Sequence, residues 1–361
     1  MRAETVGSLL RPARLLEVRR RAAAGDASPA ELRAAEDEAV LGAIALQESV
    51  GLDVVTDGEM RRTSWISTAR GPLEGFELQP GGPGWEWHGG AEAADLSARP
   101  FPFVVRRLRV RRDLAEDEYA FLARHAHTRT KYCIPAPSYH RTVWHPEHSR
   151  TAYARCEDFL LEMRDYVRGV IRDVVARGCR YVQLDAPNYG NLCDAGLREA
   201  MDREGRDLDA ELAFDVALDN SVFDGVDGVV RAMHVCRGNA AGNWAASGGY
   251  EVIADRLFPG LELDRLLLEY DSPRAGGFEA LRHVRPETTV VLGLLTTKTG
   301  PLEDASEVRA RVHEASEVVP LDRLALSTQC GFASVDMGNP VTAEQQEAKL
   351  RLVVELAREL W

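Results

Sequence analysis

The sequence has no run of apolar residues long enough to cross a membrane. A transmembrane helix needs roughly 18 or more mostly apolar residues in a row, and no stretch approaches that length. The first residues, MRAETVGS, also lack the apolar run of a secretory signal peptide. We therefore expect a cytoplasmic protein that does not bind a membrane.

Basic charge is scarce relative to acidic charge. The 361 residues include 44 Lys and Arg against 57 Asp and Glu, a formal net charge of -13. Proteins that bind nucleic acid normally carry clusters of excess Lys and Arg, so no nucleic acid is expected as a partner. Neither a GxGxxG motif nor a P-loop is present, so a dinucleotide or nucleoside triphosphate is not indicated.

Cysteine is also sparse. Six cysteines are spread through the 361 residues, which differs from the dense pattern of a secreted disulfide scaffold. Each thiol therefore has two expected roles, a buried place in the core or a metal ligand.

The chain does contain a regular alternation of short apolar runs with longer amphipathic stretches. Eight such runs, each followed by a helical pattern, predict a single (β/α)8 TIM barrel. We therefore expect residues 1–361 to form one α/β domain of the TIM-barrel class. The predicted strands lie at residues 4–8, 52–59, 131–137, 181–187, 233–239, 266–272, 289–298 and 324–331.

Helix-start signals accompany the predicted helices. Ser28 before Pro29 predicts a capped helix that runs toward residue 50, and Thr342 with Gln345 forms a capping box before the last helix. An apolar stripe predicts another helix over 157–178.

Two connections are too long for one helical crossover. Residues 60–130 contain the Gly-, Pro- and Trp-rich stretch 79–90, which we expect to form a protruding hairpin. Residues 188–232 have room for more than one helix. The barrel is therefore expected to carry insertions after strands 2 and 4.

Polar and sulfur-bearing side chains lie at the carboxyl ends of the predicted strands. TIM barrels build their active sites at this end, so we expect these side chains to surround one mouth. His234 and Cys236 are two residues apart on one strand and therefore point to the same face. The other residues at the strand ends are Ser8, Asp57, Glu59, Asp185, Glu269, Lys298 and Cys330.

Four of these side chains, His234, Cys236, Glu269 and Cys330, form a donor set typical of a zinc site. Zn²⁺ accepts thiolate, imidazole and carboxylate ligands in tetrahedral geometry, whereas Mg²⁺ prefers oxygen. An inert position in the core is the alternative for each residue taken alone. Their shared place at strand ends favours Zn²⁺ as a cofactor.

Six segments resemble the catalytic barrel of the cobalamin-independent methionine synthase family, and most closely its short single-barrel members. They follow the order of that family along nearly the whole chain. The amino-terminal second barrel of the full-length enzymes has no counterpart in this sequence. The segments are TVGSLLRP (5–12), GLDVVTDGEMRR (51–62), YVQLDAP (181–187), HVCRGN (234–239), LLLEYD (266–271) and LSTQCGFAS (326–334).

The resemblance implies that the four-residue donor set holds zinc and that the zinc binds the sulfur of homocysteine. A thiol bound to zinc loses its proton near neutral pH and becomes a nucleophile. We therefore expect a zinc-dependent thiol S-methyltransferase, with conversion of homocysteine to methionine as the favoured reaction. The expected donor is 5-methyltetrahydrofolate or a related compound such as a methylcorrinoid.

The family also binds the amino-acid end of homocysteine with a Gly-Ser turn and two carboxylates, which match Gly7, Ser8, Glu59 and Asp185 here. Paired acids suit an ammonium group, and a backbone turn with a hydroxyl suits a carboxylate. The alternative is that both acids pair with nearby arginines, such as those at 61–62.

Lys298 departs from the family pattern, because methionine synthases have a His in the segment of the seventh strand. A lysine does not imitate a neutral imidazole. We expect Lys298 to be a catalytic residue that neutralises charge on the leaving group, or one that binds an acidic substituent. A solvated lysine at the rim is the alternative.

Trp65, His140 and Trp244 are candidates for the walls of a pocket that holds a flat donor such as a pterin. Other functions stay open at this point. A coenzyme M transferase that opens epoxides would share the zinc chemistry, but coenzyme M has no amine for the carboxylate pair. A metal-free enzyme resembling uroporphyrinogen decarboxylase and a non-catalytic zinc-binding barrel are further alternatives. The sequence does not specify the thiol, the donor or the number of subunits.

Overall fold

A parallel sheet is the main element of the computed structural model, in which residues 1–80, 82, 85–90, 96 and 100–361 are described. The strands are β1 (Ala3–Glu4), β2 (Leu73–Gln79), β3 (Phe101–Val110), β4 (Tyr132–Pro135), β5 (Tyr181–Asp185), β6 (Val230–Val235), β7 (Arg265–Glu269), β8 (Thr289–Leu295) and β9 (Leu324–Thr328). Seven of them pair in parallel in the order β1-β9-β8-β7-β6-β5-β4, and β2 pairs with β3 in antiparallel fashion. The described residues therefore form an α/β fold around a curled seven-stranded parallel sheet.

Residues 52–59, predicted as the second strand, do not form a strand. Val55 makes one isolated parallel bridge just ahead of β4, and the N–H of Asp53 donates to β1. The segment therefore lies between the two edge strands without a continuous ladder. The side chain of Gln47 replaces ladder partners, because it accepts the N–H of Thr56 at 2.9 Å and donates to the Thr56 carbonyl at 2.8 Å.

The other predicted strands match strands of the sheet, but they end earlier than expected. The first strand, β1, is only two residues long, and β6 ends at Val235 rather than at residue 239. Beyond Val235 the N–H of Arg237 donates to the carboxylate of Glu269 at 2.7 Å instead of to a neighbouring strand. Side chains near the strand ends therefore replace ladder partners where the chain turns away from the sheet.

Side chains alternate between the two faces of the sheet. One face packs against the helices in the main core, and the opposite face has a small apolar cluster of its own. The segment 52–59 contributes to this interior cluster although it is not a strand. The buried members of the cluster are Val6, Val54, Tyr181, Ala232, Leu267, Val291 and Ala325.

The two helices with start signals in the sequence begin where those signals place them. The helices are α1 (Ala13–Ala24), α2 (Pro29–Val50), α3 (Ser67–Arg70), α4 (Ala120–His125), α5 (Pro146–Ser149), α6 (Cys156–Ala176), α7 (Pro187–Asn191), α8 (Ala195–Arg203), α9 (Leu208–Asn220), α10 (Ala254–Gly260), α11 (Ala305–Ser316) and α12 (Ala343–Leu360). Ser28 accepts the N–H of Glu31 at the start of α2, and Thr342 and Gln345 form a reciprocal capping box at α12. These helix starts are confirmed, and the helix predicted at 157–178 corresponds to α6.

The two long connections contain secondary structure of their own. The connection over 60–130 contains α3, the β2–β3 pair and α4, and the one over 188–232 contains most of α7 and all of α8 and α9. Of the predicted hairpin loop at 79–90, residues 81, 83 and 84 lie outside the described residues. His88 in this loop forms an antiparallel bridge with Trp244. None of the described helices is both long and apolar enough to cross a membrane.

We predict that Thr342→Ala lowers the free energy of unfolding by about 1 kcal/mol, because the N–H of Gln345 loses its acceptor. Thr342→Ser retains a hydroxyl at the cap and should keep most of the stability. Urea unfolding followed by circular dichroism gives the free energy of unfolding of the wild type and of both variants. Equal free energies would show that the capping box does not stabilise α12 measurably.

Candidate metal and substrate site

Three potential metal ligands meet at the carboxyl ends of β6 and β9. His234 lies in β6, Cys236 follows the end of that strand, and Cys330 follows the end of β9. One ligand atom from each lies within 4.8 Å of the others, and all three residues are buried. The sequence prediction that these three side chains converge therefore agrees with the geometry.

The chemistry of this group suits a soft or borderline cation. Both ring nitrogens of His234 are buried, and the ring interacts with the thiol of Cys330. Interaction with Cys236, His234 and Lys298 holds the pKa of Cys330 well below its ordinary value despite burial. A buried imidazole beside an acidified thiol and a second thiol matches the preference of Zn²⁺ for nitrogen and sulfur. The residues present therefore fit a zinc ion.

Glu269, the fourth predicted ligand, is not part of this three-residue group. It is fully buried at the end of β7, where Arg274 donates to its Oε1 at 2.6 Å and the Arg237 N–H donates to its Oε2 at 2.7 Å. Burial would raise the pKa of Glu269, but Lys298, Arg274 and Arg237 lower it to about 2. Its carboxylate is thus an ionised partner of arginine in this structure.

Lys298 is not the solvated rim lysine of the alternative interpretation. Its side chain is 6% exposed, its Nζ lies 3.9 Å from Oε1 of Glu269, and Nζ has no hydrogen-bond partner within the described part of the chain. The chain has only two other lysines, Lys131 and Lys349, and both are also buried. The positive charge of Lys298 therefore lies inside the site, beside the thiols.

Glu59 and its surroundings show why the sequence has glycine at position 7. Glu59 adopts a left-handed backbone conformation with φ of 57°, which is uncommon for a residue with a side chain. A Cβ at Gly7 would lie 2.9 Å from Oε1 of Glu59, so glycine leaves room for the carboxylate. Ser8 follows at the same pocket, and a Cβ at Gly331 would lie 2.0 Å from the Ser8 hydroxyl. Two glycines therefore allow this close packing.

The two predicted substrate acids have different partners. Arg62 Nη1 lies 3.3 Å from Oε1 of Glu59, while Oε2 of Glu59 has no hydrogen-bond partner among the described residues. Asp185 accepts a hydrogen bond from Gln183 at 2.7 Å, and the structure shows no arginine paired with it among the described residues. The alternative that both acids pair with arginines therefore applies to one oxygen of Glu59 only.

Both acids titrate above their ordinary range. Burial, with nearby Asp185 and Asp57, raises the pKa of Glu59 to about 7 although Arg62 and Arg11 oppose the shift. Burial raises the pKa of Asp185 to about 6 against the effects of His234 and Gln183. Buried carboxyl groups with raised pKa values in a pocket are typical of functional sites.

A pocket with a cavity volume of about 110 Å³ connects the acids to the ligand group. Trp65 lines it as expected, together with Trp85, Trp87 and Tyr139, which the sequence analysis missed. Trp85 and Trp87 belong to the loop at 79–90, and the bridge between His88 and Trp244 places this loop beside the site. The sequence WEW at 85–87 is the local signal that points to these two indole rings. The pocket lining also includes Ser8, Glu59, Asp185, His234, Cys236 and Cys330.

Two predicted pocket residues have other roles. His140 is fully buried beside the pocket, and its Nδ1 lies 3.1 Å from the carbonyl of Ala136. Trp244 places its ring under the guanidinium of Arg274 at 5.1 Å and is not among the lining residues. Neither side chain lines the pocket in this structure.

A second group of possible ligands lies outside this pocket. Ligand atoms of His145, Glu147 and His148 also lie within 4.8 Å of one another, but Glu147 is exposed and both histidines are only partly buried. The N–H of Glu147 already donates to the His145 ring at 3.3 Å. Metal titrations must therefore distinguish two groups of side chains.

Comparisons with known proteins gave relatives that align over the full chain. No family model matches. Uncharacterized protein YxjH of Bacillus subtilis is 38% identical, over 100% of this chain and 94% of the relative. A crystal structure from Listeria monocytogenes, assigned as a vitamin-B12-independent methionine synthase, is 29% identical with a TM-score of 0.75, covering 100% of this chain and 98% of the other.

The B12-independent methionine synthase of Shewanella sp. W3-18-1, solved in complex with selenomethionine, has a TM-score of 0.75 at 19% identity. It covers 99% of this chain and 96% of the other, and at this identity the likeness shows the fold alone. The full-length relatives, the shared fold and the matching segments agree. The chain belongs to the cobalamin-independent methionine synthase family, and it fits the short single-barrel members of that family.

Proposed function

We propose that the chain is a zinc-dependent thiol S-methyltransferase that transfers a methyl group to homocysteine and forms methionine. The main support for this proposal is a pocket lined by His234, Cys236 and Cys330, three potential metal ligands. Glu59 and Asp185 line the same pocket. The selenomethionine bound to the Shewanella enzyme supports a ligand of the methionine class. We take residues 1–361 as one (β/α)8 domain, with 52–59 in the second strand position.

In this proposal His234, Cys236 and Cys330 hold the zinc. When bound there, Zn²⁺ supplies acidity that makes a ligating substrate thiol a thiolate near neutral pH. Catalytic zinc sites commonly use three protein ligands and keep a fourth position for substrate. Glu269 would take that fourth position only after it leaves Arg274 and the Arg237 N–H, so it is a candidate for a displaceable fourth ligand.

The other residues of the pocket bind and orient the substrates. Glu59 and Asp185 accept hydrogen bonds from the ammonium group of homocysteine, and Gly7 and Ser8 face its carboxylate. Burial of both acids keeps water away from these bonds, which strengthens their interaction with a cation. Lys298 supplies positive charge close to the reacting sulfur and stabilises negative charge that develops on the donor.

The aromatic wall of the pocket supports a planar methyl donor. Trp65, Trp85 and Trp87 present indole rings to the same pocket, and Trp65 meets Tyr139 edge to face at a centroid distance of 4.7 Å. Such a wall suits a planar compound, which favours 5-methyltetrahydrofolate or a related pterin over a donor without a ring. A methylcorrinoid is the alternative donor.

We predict that the chain purified without chelators holds one Zn²⁺ in the pocket. Cys330→Ser should weaken zinc binding at least about tenfold, because a thiolate ligand is lost. His148→Ala, in the second group of possible ligands, is the matched control and should retain the pocket metal. Elemental analysis gives the zinc content of the wild type and of each variant, and competition titrations give their affinity for Zn²⁺. A wild-type chain without zinc would favour the metal-free decarboxylase-like alternative.

We predict that homocysteine changes the visible spectrum of the Co²⁺-substituted chain, because its sulfur enters the metal's coordination sphere. Coenzyme M, cysteine and glutathione are titrated in parallel. A stronger response to coenzyme M than to homocysteine would favour the epoxide-opening alternative. If none of the thiols alters the bands, direct binding of sulfur is wrong and a non-catalytic zinc protein is favoured.

We predict that the KM for homocysteine rises as the pH falls below about 7. The pKa of Glu59 is raised to about 7, so acid protonates this carboxyl group and removes its attraction for ammonium. Glu59→Gln should raise the KM about tenfold at high pH and flatten this dependence. Glu262→Gln, at an exposed position, is the control. If the KM of Glu59→Gln keeps the wild-type pH dependence, Glu59 does not bind the ammonium group.

A further inference from the structure

A buried ionic network lies at the amino-terminal ends of the strands, opposite the pocket. Glu4 in β1 is fully buried and contacts Arg265 at 2.7 Å and Lys131 at 3.0 Å. Burial alone would raise the pKa of Glu4, but Lys131 and Arg265 lower it to about 2. The network is thus a fixed set of charges within the sheet, and Lys131 is its member that contacts Gln183 on the strand that carries Asp185.

The three N–H groups of the Lys131 ammonium all have acceptors. They donate to Oε2 of Glu4 at 3.0 Å, to the carbonyl of Thr5 at 2.6 Å and to Oε1 of Gln183 at 2.8 Å. An ammonium group has three donors and no acceptor, so this set satisfies it completely. Lys131 therefore determines which end of the Gln183 amide carries the oxygen.

The amino end of the same amide faces the pocket. Gln183 Nε2 donates to Oδ1 of Asp185 at 2.7 Å and to the carbonyl of Val6 at 3.0 Å. A flipped amide would set its NH₂ group against the Lys131 ammonium and its oxygen against two acceptors. Gln183 is fully buried, so water cannot relieve those contacts. Lys131 on one side, and Asp185 and Val6 on the other, therefore fix the orientation of the Gln183 amide.

One acceptor of the Gln183 amide belongs to the proposed amino-acid subsite, and the other lies next to it in the chain. Asp185 is one of the two acids of this subsite, and Val6 immediately precedes Gly7 and Ser8. We propose that Gln183, oriented by Lys131, is a positioning residue that fixes Asp185 relative to the Gly7–Ser8 turn for recognition of an α-amino group. This inference rests on the proposed function, and it adds a residue that touches no substrate.

The experiment compares two thiols of equal chain length. Homocysteine carries an α-amino group, and its des-amino analogue mercaptobutyrate does not. Titration of each into the Co²⁺-substituted chain gives two dissociation constants, whose ratio isolates the contribution of the amine. Gln183→Met removes the amide with little change of volume. Gln183→Asn retains an amide one methylene too short to reach Asp185, and it serves if the methionine variant does not fold.

We expect either variant to weaken homocysteine binding about tenfold and mercaptobutyrate binding less than about twofold. Thr288→Val is the matched control, because it removes the buried hydrogen bond from Thr288 to the Leu263 carbonyl, away from the pocket. It should preserve the wild-type ratio even if the chain becomes less stable. If folded Gln183 variants keep the wild-type ratio of the two dissociation constants, the role of Gln183 is wrong, but the proposed function still stands. If neither thiol perturbs the wild-type spectrum, the proposed function is wrong, and the inference with it.

Discussion

Parallel register between neighbouring strands is the constraint on which the candidate site depends. Asp185 is paired with His234 across β5 and β6, so an acid of the pocket and a possible metal ligand stand at the same level on adjacent strands. A shift of one residue in β6 would turn His234 to the opposite face of the sheet. The apolar interior cluster resists such a shift, because Ala232 would leave it as well. Packing inside the sheet and geometry at its edge are therefore coupled.

The buried charges are balanced differently at the two ends of the sheet. At the amino-terminal end Glu4 has two cations in contact and a pKa of about 2. At the carboxyl end Glu59 shares Arg62 with Glu118, and Asp185 has no paired arginine within the described residues. In the first arrangement both oxygens of the Glu4 carboxylate are already paired with groups of the protein. The second arrangement leaves carboxylate oxygens available for a cation from outside, which is the property that a binding site for an amine requires.

The positions of the strand-end residues could be predicted from the sequence, because apolar runs that end in His, Cys, Asp or Glu are visible locally. The convergence of His234, Cys236 and Cys330 follows from those runs once a parallel sheet is assumed. The environment of Glu269 does not follow. Whether a carboxylate faces a metal or an arginine depends on the loop that brings Arg274 to it, and no local pattern encodes that contact.

Two other features also depend on tertiary contacts. The segment 52–59 has the apolar pattern of a strand, but the Gln47 side chain of α2 replaces its ladder. Trp85 and Trp87 reach the pocket because the loop that carries them pairs with residue 244, far away in the chain. Local sequence therefore identifies the elements of this fold, whereas long-range hydrogen bonds decide which loops cover the site.

The burial of Lys131, Lys298 and Lys349 has a consequence for the outer surface. These are the only lysines of the chain, so the permanent positive charges at its surface are guanidinium groups, apart from the terminal amine. Guanidinium is weakly hydrated and stays charged at any physiological pH, so the surface charge does not respond to reagents or modifying enzymes that acylate side-chain amines. Such chemistry can reach Lys131 and Lys349 only when the chain opens, so acylation of these two side chains would be a selective mark of unfolded or damaged molecules.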